Sequence, residues 1–131
     1  MKIEVTIPLA PDNTLFHNSR SRRGGFYKGV HASQECRATA RYAAMASGMH
    51  IEPFAGPVAV TIHAAYGYKR VTPDLDATIS ACKPYLDGIV DAGILVDDDQ
   101  IQKITATHTK IQGKHGEKPQ GYTRIQIEEI L

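Results

Sequence analysis

Apolar and polar residues alternate along the first strand-like stretch of the chain. Ile3, Val5 and Ile7 are interleaved with Lys2, Glu4 and Thr6, the period of two of a half-buried strand over roughly residues 2–8. The stretch PLAPDNTLFHNSRSRRGGFYKGVH follows, rich in turn formers and bases, and reads as a long mobile loop over about residues 12–31. The pattern then becomes helical. Ser33 is a plausible N-cap, Gly48 a stop, and Cys36, Ala40, Ala43 and Met45 give an apolar side to a helix from about Ser33 to Ser47. GPVAVTIHAAY restores alternation, with Val58, Val60, Ile62 and Ala64 on one face. Ile79, Cys82, Leu86 and Ile89 then step at helical spacing through a second helix, roughly Asp74 to Ala92, which Pro84 should kink and Gly93 should end. Two more strands, about 101–111 and 121–130, flank the turn QGKHGEKPQG. The order β-α-β-α-β-β predicts an α/β fold: one domain over residues 1–131, with a mixed sheet packed with two helices.

Length and composition agree with one core. A chain of 131 residues, 42% hydrophobic, holds one domain and is not of disordered composition. No apolar run approaches the roughly 20 residues that span a bilayer, and MKIEVTIPLAPDN reads as a strand rather than a signal peptide. The expectation is a cytoplasmic protein with no membrane partner. Cys36 and Cys82 fall on apolar helix faces without a CxxC motif and read as core thiols. The six histidines show no ligand spacing.

Charge is unevenly placed. The net charge is +1, yet Asn13–Arg41 carries Arg20, Arg22, Arg23, Lys28, Arg37 and Arg41 against Glu35 alone, a local balance of +5. Residues 72–101 hold seven aspartates and no glutamate, with Lys83 the one base among them. A basic arm beside an acidic cluster suits a metal site that handles phosphate, because the arm offsets repulsion between acids and polyanion. Asp74 and Asp76 lie at the start of the second helix; Ser80, Lys83 and Asp87 follow on one helical stripe, and Asp97-Asp98-Asp99 precedes the third strand. If that loop folds back over the helix start, carboxylates converge. Two of them about 4 Å apart repel by a few kcal/mol at an effective dielectric near 20, so convergence calls for a cation. Magnesium suits it, with manganese as a substitute. The plain alternatives are a helix-capping D-x-D pair and a solvated DDD turn. An EF-hand is excluded, because its glycine and glutamate are missing.

D74-L-D76, K83-P-Y-L-D87-G-I-V-D-A-G and V-D97-D98-D99-Q-I together resemble the signature of the RusA family of crossover junction endodeoxyribonucleases, the Holliday junction resolvases of phages and prophages. The opening P-L-A-P-D-N before a basic loop is also similar. The resemblance covers most of the chain, most specifically residues 70–101. It implies a RusA-like fold and a homodimer that nicks branched DNA in recombination and repair. It further implies magnesium held by Asp74, Asp76 and Asp98, with Asp97 adjacent as a substitute, and Lys83 as a catalytic lysine. One departure is Ala77, where family members usually carry asparagine. Arg20, Arg22, Arg23 and Lys28 would contact phosphate from the loop, and Arg37 and Arg41 would extend that surface from the first helix. Phe26 and Tyr27 are candidates for stacking on unpaired bases, although core packing suits Phe26 better. Two alternatives stay open: a branched-DNA-binding module that does not cut, and a nuclease acting on flaps or single strands. For the dimer interface, the apolar edge of the sheet and the first helix are equal candidates.

Overall fold

The computed structural model describes residues 2–11, 25–47, 52–67, 73–112 and 120–130, with backbone only over 25–29. Its elements are β1 (Lys2–Ile7), α1 (Gly25–Ala46), β2 (Val58–Gly67), α2 (Leu75–Ala81), α3 (Lys83–Asp91), a 3-10 turn (Asp98–Gln100), β3 (Ile101–Ile111) and β4 (Tyr122–Glu129). The strands form one mixed four-stranded sheet in the order β1-β4-β2-β3. β4 runs antiparallel to both β1 and β2, whereas β2 and β3 are parallel. Parallel neighbours need a crossover, and α2 with α3 supplies it. This is a small α/β domain, with a mixed sheet and its helices around a common core. Among the described residues no helix is long and apolar enough to cross a membrane.

Alternation decides which side of the sheet the helices cover. Ile3, Val5 and Ile7 of β1, Val58, Val60, Ile62 and Ala64 of β2, and Ile125 and Ile127 of β4 are all buried. All but Ala64 belong to one core with Cys36, Ala40, Cys82, Tyr85, Leu86 and Ile89 from the helices. Burying each Val, Ile or Leu side chain contributes roughly 1.5–3 kcal/mol. The opposite face is polar: Arg124 lies 3.5 Å from Glu4 and 5.5 Å from the Tyr122 ring centroid, and His63 Nδ1 is 2.7 Å from Thr107 Oγ1.

The helices differ from the sequence expectation in three respects. First, α1 begins at Gly25, so residues 25–31 are helix and not the end of a loop. Its buried stripe, Ala32, Cys36, Ala40 and Ala44, begins one residue before Ser33, which lies inside the helix instead of capping it. That packing outweighs the roughly 1 kcal/mol that a helical glycine such as Gly29 costs. Second, the stripe advances in steps of four, which carries Met45 out to solvent, 57% exposed, while Ala43 packs at the edge of the core. Third, the second helix is interrupted, not merely kinked. Pro84 has no N–H for the Ser80 carbonyl, and the chain restarts at Lys83 after Cys82 (φ −85°, ψ −4°). Gly93, at φ +85°, ends α3 in the left-handed region that glycine adopts without strain.

α1 and α3 approach closely at Gly88. A Cβ there would lie 2.3 Å from the Arg37 carbonyl oxygen and 2.9 Å from Ala40 Cβ, so only glycine fits. At Gly56 a Cβ would meet nothing within 4 Å. Gly88→Ala should therefore lower stability by about 1–3 kcal/mol, read as a fall in thermal midpoint by circular dichroism, while Gly56→Ala should leave the midpoint nearly unchanged. Equal midpoints for the two variants would contradict this packing.

Candidate functional site

The acidic stretch is built by two short caps and a crossover helix. Asp74 is the N-cap of α2, its backbone extended (φ −70°, ψ 170°), and its Oδ1 accepts a hydrogen bond from the Ala77 amide at 2.9 Å. A carboxylate in this position satisfies an otherwise unpaired amide and complements the helix dipole. Asp76 lies exposed in the first turn. Asp97 caps the 3-10 turn, accepting from the amide of the next residue, Asp98, at 2.7 Å. The helix-capping alternative thus describes what Asp74 and Asp97 do in this structure.

Gln100 fixes where that turn sits, a role the sequence motifs do not signal. Its Oε1 accepts from the Val96 and Asp97 amides at 2.7 and 3.1 Å. Its Nε2 donates to the carbonyls of Phe54 and Gly56 at 2.7 and 2.9 Å. One amide side chain therefore clamps the DDD segment to the residues before β2. A glutamine followed by a strand, as in D-D-D-Q-I, is the only local trace of this clamp.

Lys83 joins two parts of the acidic stretch. From the start of α3 its ammonium donates to Asp87 Oδ1 at 3.1 Å and also to Asp98 Oδ2. The Lys83 ammonium holds the Asp98 carboxyl below the usual carboxylate range, and Asp98 in turn raises the lysine. Lys83 and Asp87, with Ser80, Ile79, Pro84 and Ile104, line a groove of about 630 Å³ between α1, the α2–α3 break and β3. The polar stripe expected from Ser80, Lys83 and Asp87 is thus present, and it faces this groove.

The basic residues divide into three groups. Arg20, Arg22 and Arg23 lie outside the described residues. Lys28 falls on the α1 backbone. Arg37 and Arg41 are exposed on α1, but Arg37 is engaged: its Nε and Nη2 donate to the Asp91 carboxylate at 2.5 and 2.8 Å. That fork lowers Asp91 below the usual carboxylate range, with the charge of Arg41 adding to it. Cys36 and Cys82 are both buried, and burial pushes the Cys82 thiol up to about 12, so it remains a neutral core group.

In donor chemistry the acidic residues fit a hard divalent cation, since all offer carboxylate oxygens. In arrangement they are not gathered: among the described residues no group of three or more His, Cys, Asp or Glu side chains is placed to hold a metal ion. At Asp98 the neutralising charge is the Lys83 ammonium.

The depressed Asp98 carboxyl makes stability depend on pH. A carboxyl lowered in the folded state stabilises the protein above its unfolded value, near 3.9, and that contribution is lost as pH falls through the folded value. Wild type should therefore melt higher than Asp98→Asn at pH 6, and the gap should shrink as pH falls below about 3.9. A gap that does not shrink with falling pH would remove the ion pair as its source.

Compared with known protein families and with curated proteins, the chain matches no family model and no curated sequence.

Proposed function

We propose that the chain is a magnesium-dependent, structure-specific endodeoxyribonuclease of the RusA type, acting as a homodimer to resolve four-way DNA junctions by paired nicks. The observation that supports this most is the Lys83–Asp98 contact, which ties the crossover helix to the acidic turn before β3. A lysine held between two carboxylates is a counter-charge that a bound cation can displace, and a site that handles phosphate needs such a group beside its acids. Asp74, Asp76 and Asp98 are the residues that would hold magnesium or its substitute manganese, with Asp97 beside them. Such an ion, when bound, polarises a phosphodiester and activates a water.

The chain's own groups supply the rest. Lys83, released from Asp98, can pair its ammonium with a phosphate oxygen, since its side chain is 56% exposed. Arg20, Arg22, Arg23, Lys28 and Arg41 position the DNA backbone without reading sequence. Arg37 is largely neutralised by Asp91 and adds to that surface only if the pair opens. The twofold symmetry of a four-way junction matches one site per subunit of a C2 dimer.

A second reading is a branched-DNA-binding module that does not cut. It is favoured by the use of Asp74 and Asp97 as caps and by Ala77, which offers no side-chain amide to orient a ligand.

Purified protein incubated with labelled four-way junction, flap and linear duplex, with magnesium and with chelator, separates these readings. Asp76→Asn should lower junction cleavage by orders of magnitude and leave junction binding intact, because basic side chains supply the phosphate contacts. Cleavage by Asp76→Asn at the wild-type rate would overturn the metal assignment, and binding by both forms without any cutting would select the second reading. Replacing Arg20, Arg22 and Arg23 together by alanine should weaken binding and flatten its salt dependence, by a slope of roughly 0.9 for each phosphate no longer neutralised. An unchanged slope would exclude them as phosphate contacts.

A further inference from the structure

The sheet has two outer edges, and they are not alike. β1 offers six residues and is followed at once by Pro8, with Pro11 shortly after. Short strands and nearby prolines blunt an edge against pairing. β3 offers eleven residues without a proline. Its register irregularity is confined to its start, opposite Val58 and Ala59. Among the described residues no strand pairs with its outer side. Its side chains are exposed over 102–105 and 107–110, on both faces of the sheet, and they include Ile104 at 38% exposure. Such an edge presents a row of unpaired backbone donors and acceptors.

We propose that β3 is the surface on which two copies of this chain join, antiparallel about a twofold axis at Ala106, fusing the two sheets into one. The inference rests on the homodimer of the preceding reading and not on its chemistry. Antiparallel pairing about a twofold normal to the sheet sets residues of the same face opposite one another, and only the register centred on Ala106 pairs all eleven positions. That register is self-complementary. Thr105 meets the partner's Thr107, Ile104 meets the partner's His108, Lys103 meets the partner's Thr109 and Gln102 meets the partner's Lys110. Neither lysine meets a lysine, so the like-charge opposition that destabilises a pair of strands is avoided, and the threonine pair is of the favourable kind. The same operator keeps both helix layers on one side of the fused sheet. The groove lined by Ile79, Pro84 and Ile104 then abuts the partner's strand, which covers the apolar edge that Ile104 leaves exposed.

Directly opposed residues of an antiparallel pair have Cα atoms about 4.5–5.5 Å apart, within the range a disulfide spans. Ala106→Cys should therefore form a disulfide-linked dimer under mild oxidation, while Met45→Cys, exposed on α1, should not; the buried native cysteines stay unreactive. Thr109→Lys, at an exposed position and opposite the partner's Lys103 in this register, should shift the protein towards monomer by light scattering at micromolar concentration, with its circular dichroism unchanged. A wild-type monomer, or a dimer linked through Met45→Cys and not through Ala106→Cys, would overturn the proposal. A chain that dimerises through β3 yet cuts no DNA would retain this interface and discard the nuclease; one that cuts as a monomer would do the reverse.

Discussion

The close approach of α1 to α3 at Gly88 is the constraint on which the rest of the molecule depends. With the Arg37 carbonyl oxygen only 2.3 Å from where a Cβ would be, the two helices pack at a distance that larger residues would not permit. The buried stripe of α1 is correspondingly small: Ala32, Cys36, Ala40 and Ala44. Ridges of small side chains let helices approach closely, and the crossing is then fixed by backbone contact instead of by side-chain bulk. Once α3 is set against α1, Arg37 reaches Asp91, and Tyr85 reaches back to donate to the Ala10 carbonyl at 3.0 Å. Thr123 donates to the neighbouring Leu9 carbonyl at 2.8 Å, so the chain leaving β1 is tied to both the helix layer and the sheet.

The position of the acidic residues follows from the same frame. α3 carries Lys83 at its first turn, and the interruption at Cys82 sets the direction from which that lysine reaches Asp98. Gln100 holds the other half, anchored to carbonyls before β2. Two roles are thus superposed on one short sequence: Asp74 and Asp97 stabilise the ends of helical turns, while Lys83 compensates the charge of Asp98. A carboxylate that caps a helix through one oxygen still carries its full charge, so capping and ligation draw on the same group without excluding each other.

The strands are the most legible part of the sequence. Val58, Val60, Ile62 and Ala64 alternate because one face of β2 is covered, and the core follows that alternation. β3 is legible for a different reason, its run of isoleucine and threonine, since its burial shows little alternation. The start of α1 is obscured by Gly24 and Gly25, which look locally like a turn, although the helix begins at Gly25. Arg37 and Asp91 are 54 residues apart, so their pairing has no local signature, and each looks solvent-facing in isolation. The cluster of aspartates is plain in the sequence; that two of them spend an oxygen on backbone amides depends on φ and ψ, which residue type does not specify.

The strand order β1-β4-β2-β3 also governs the order in which the domain can form on the ribosome. β4, made after every other element described, lies between β1 and β2 and is hydrogen-bonded to both. Until it emerges, β1 has no strand beside it among the described residues. The nascent chain can pair β2 with β3 across α2 and α3, but the two halves of the sheet stay apart until β4 closes the gap. Contacts of such long sequence separation slow folding, and here they also postpone it: the domain gains its core as a unit only once β4 has been made.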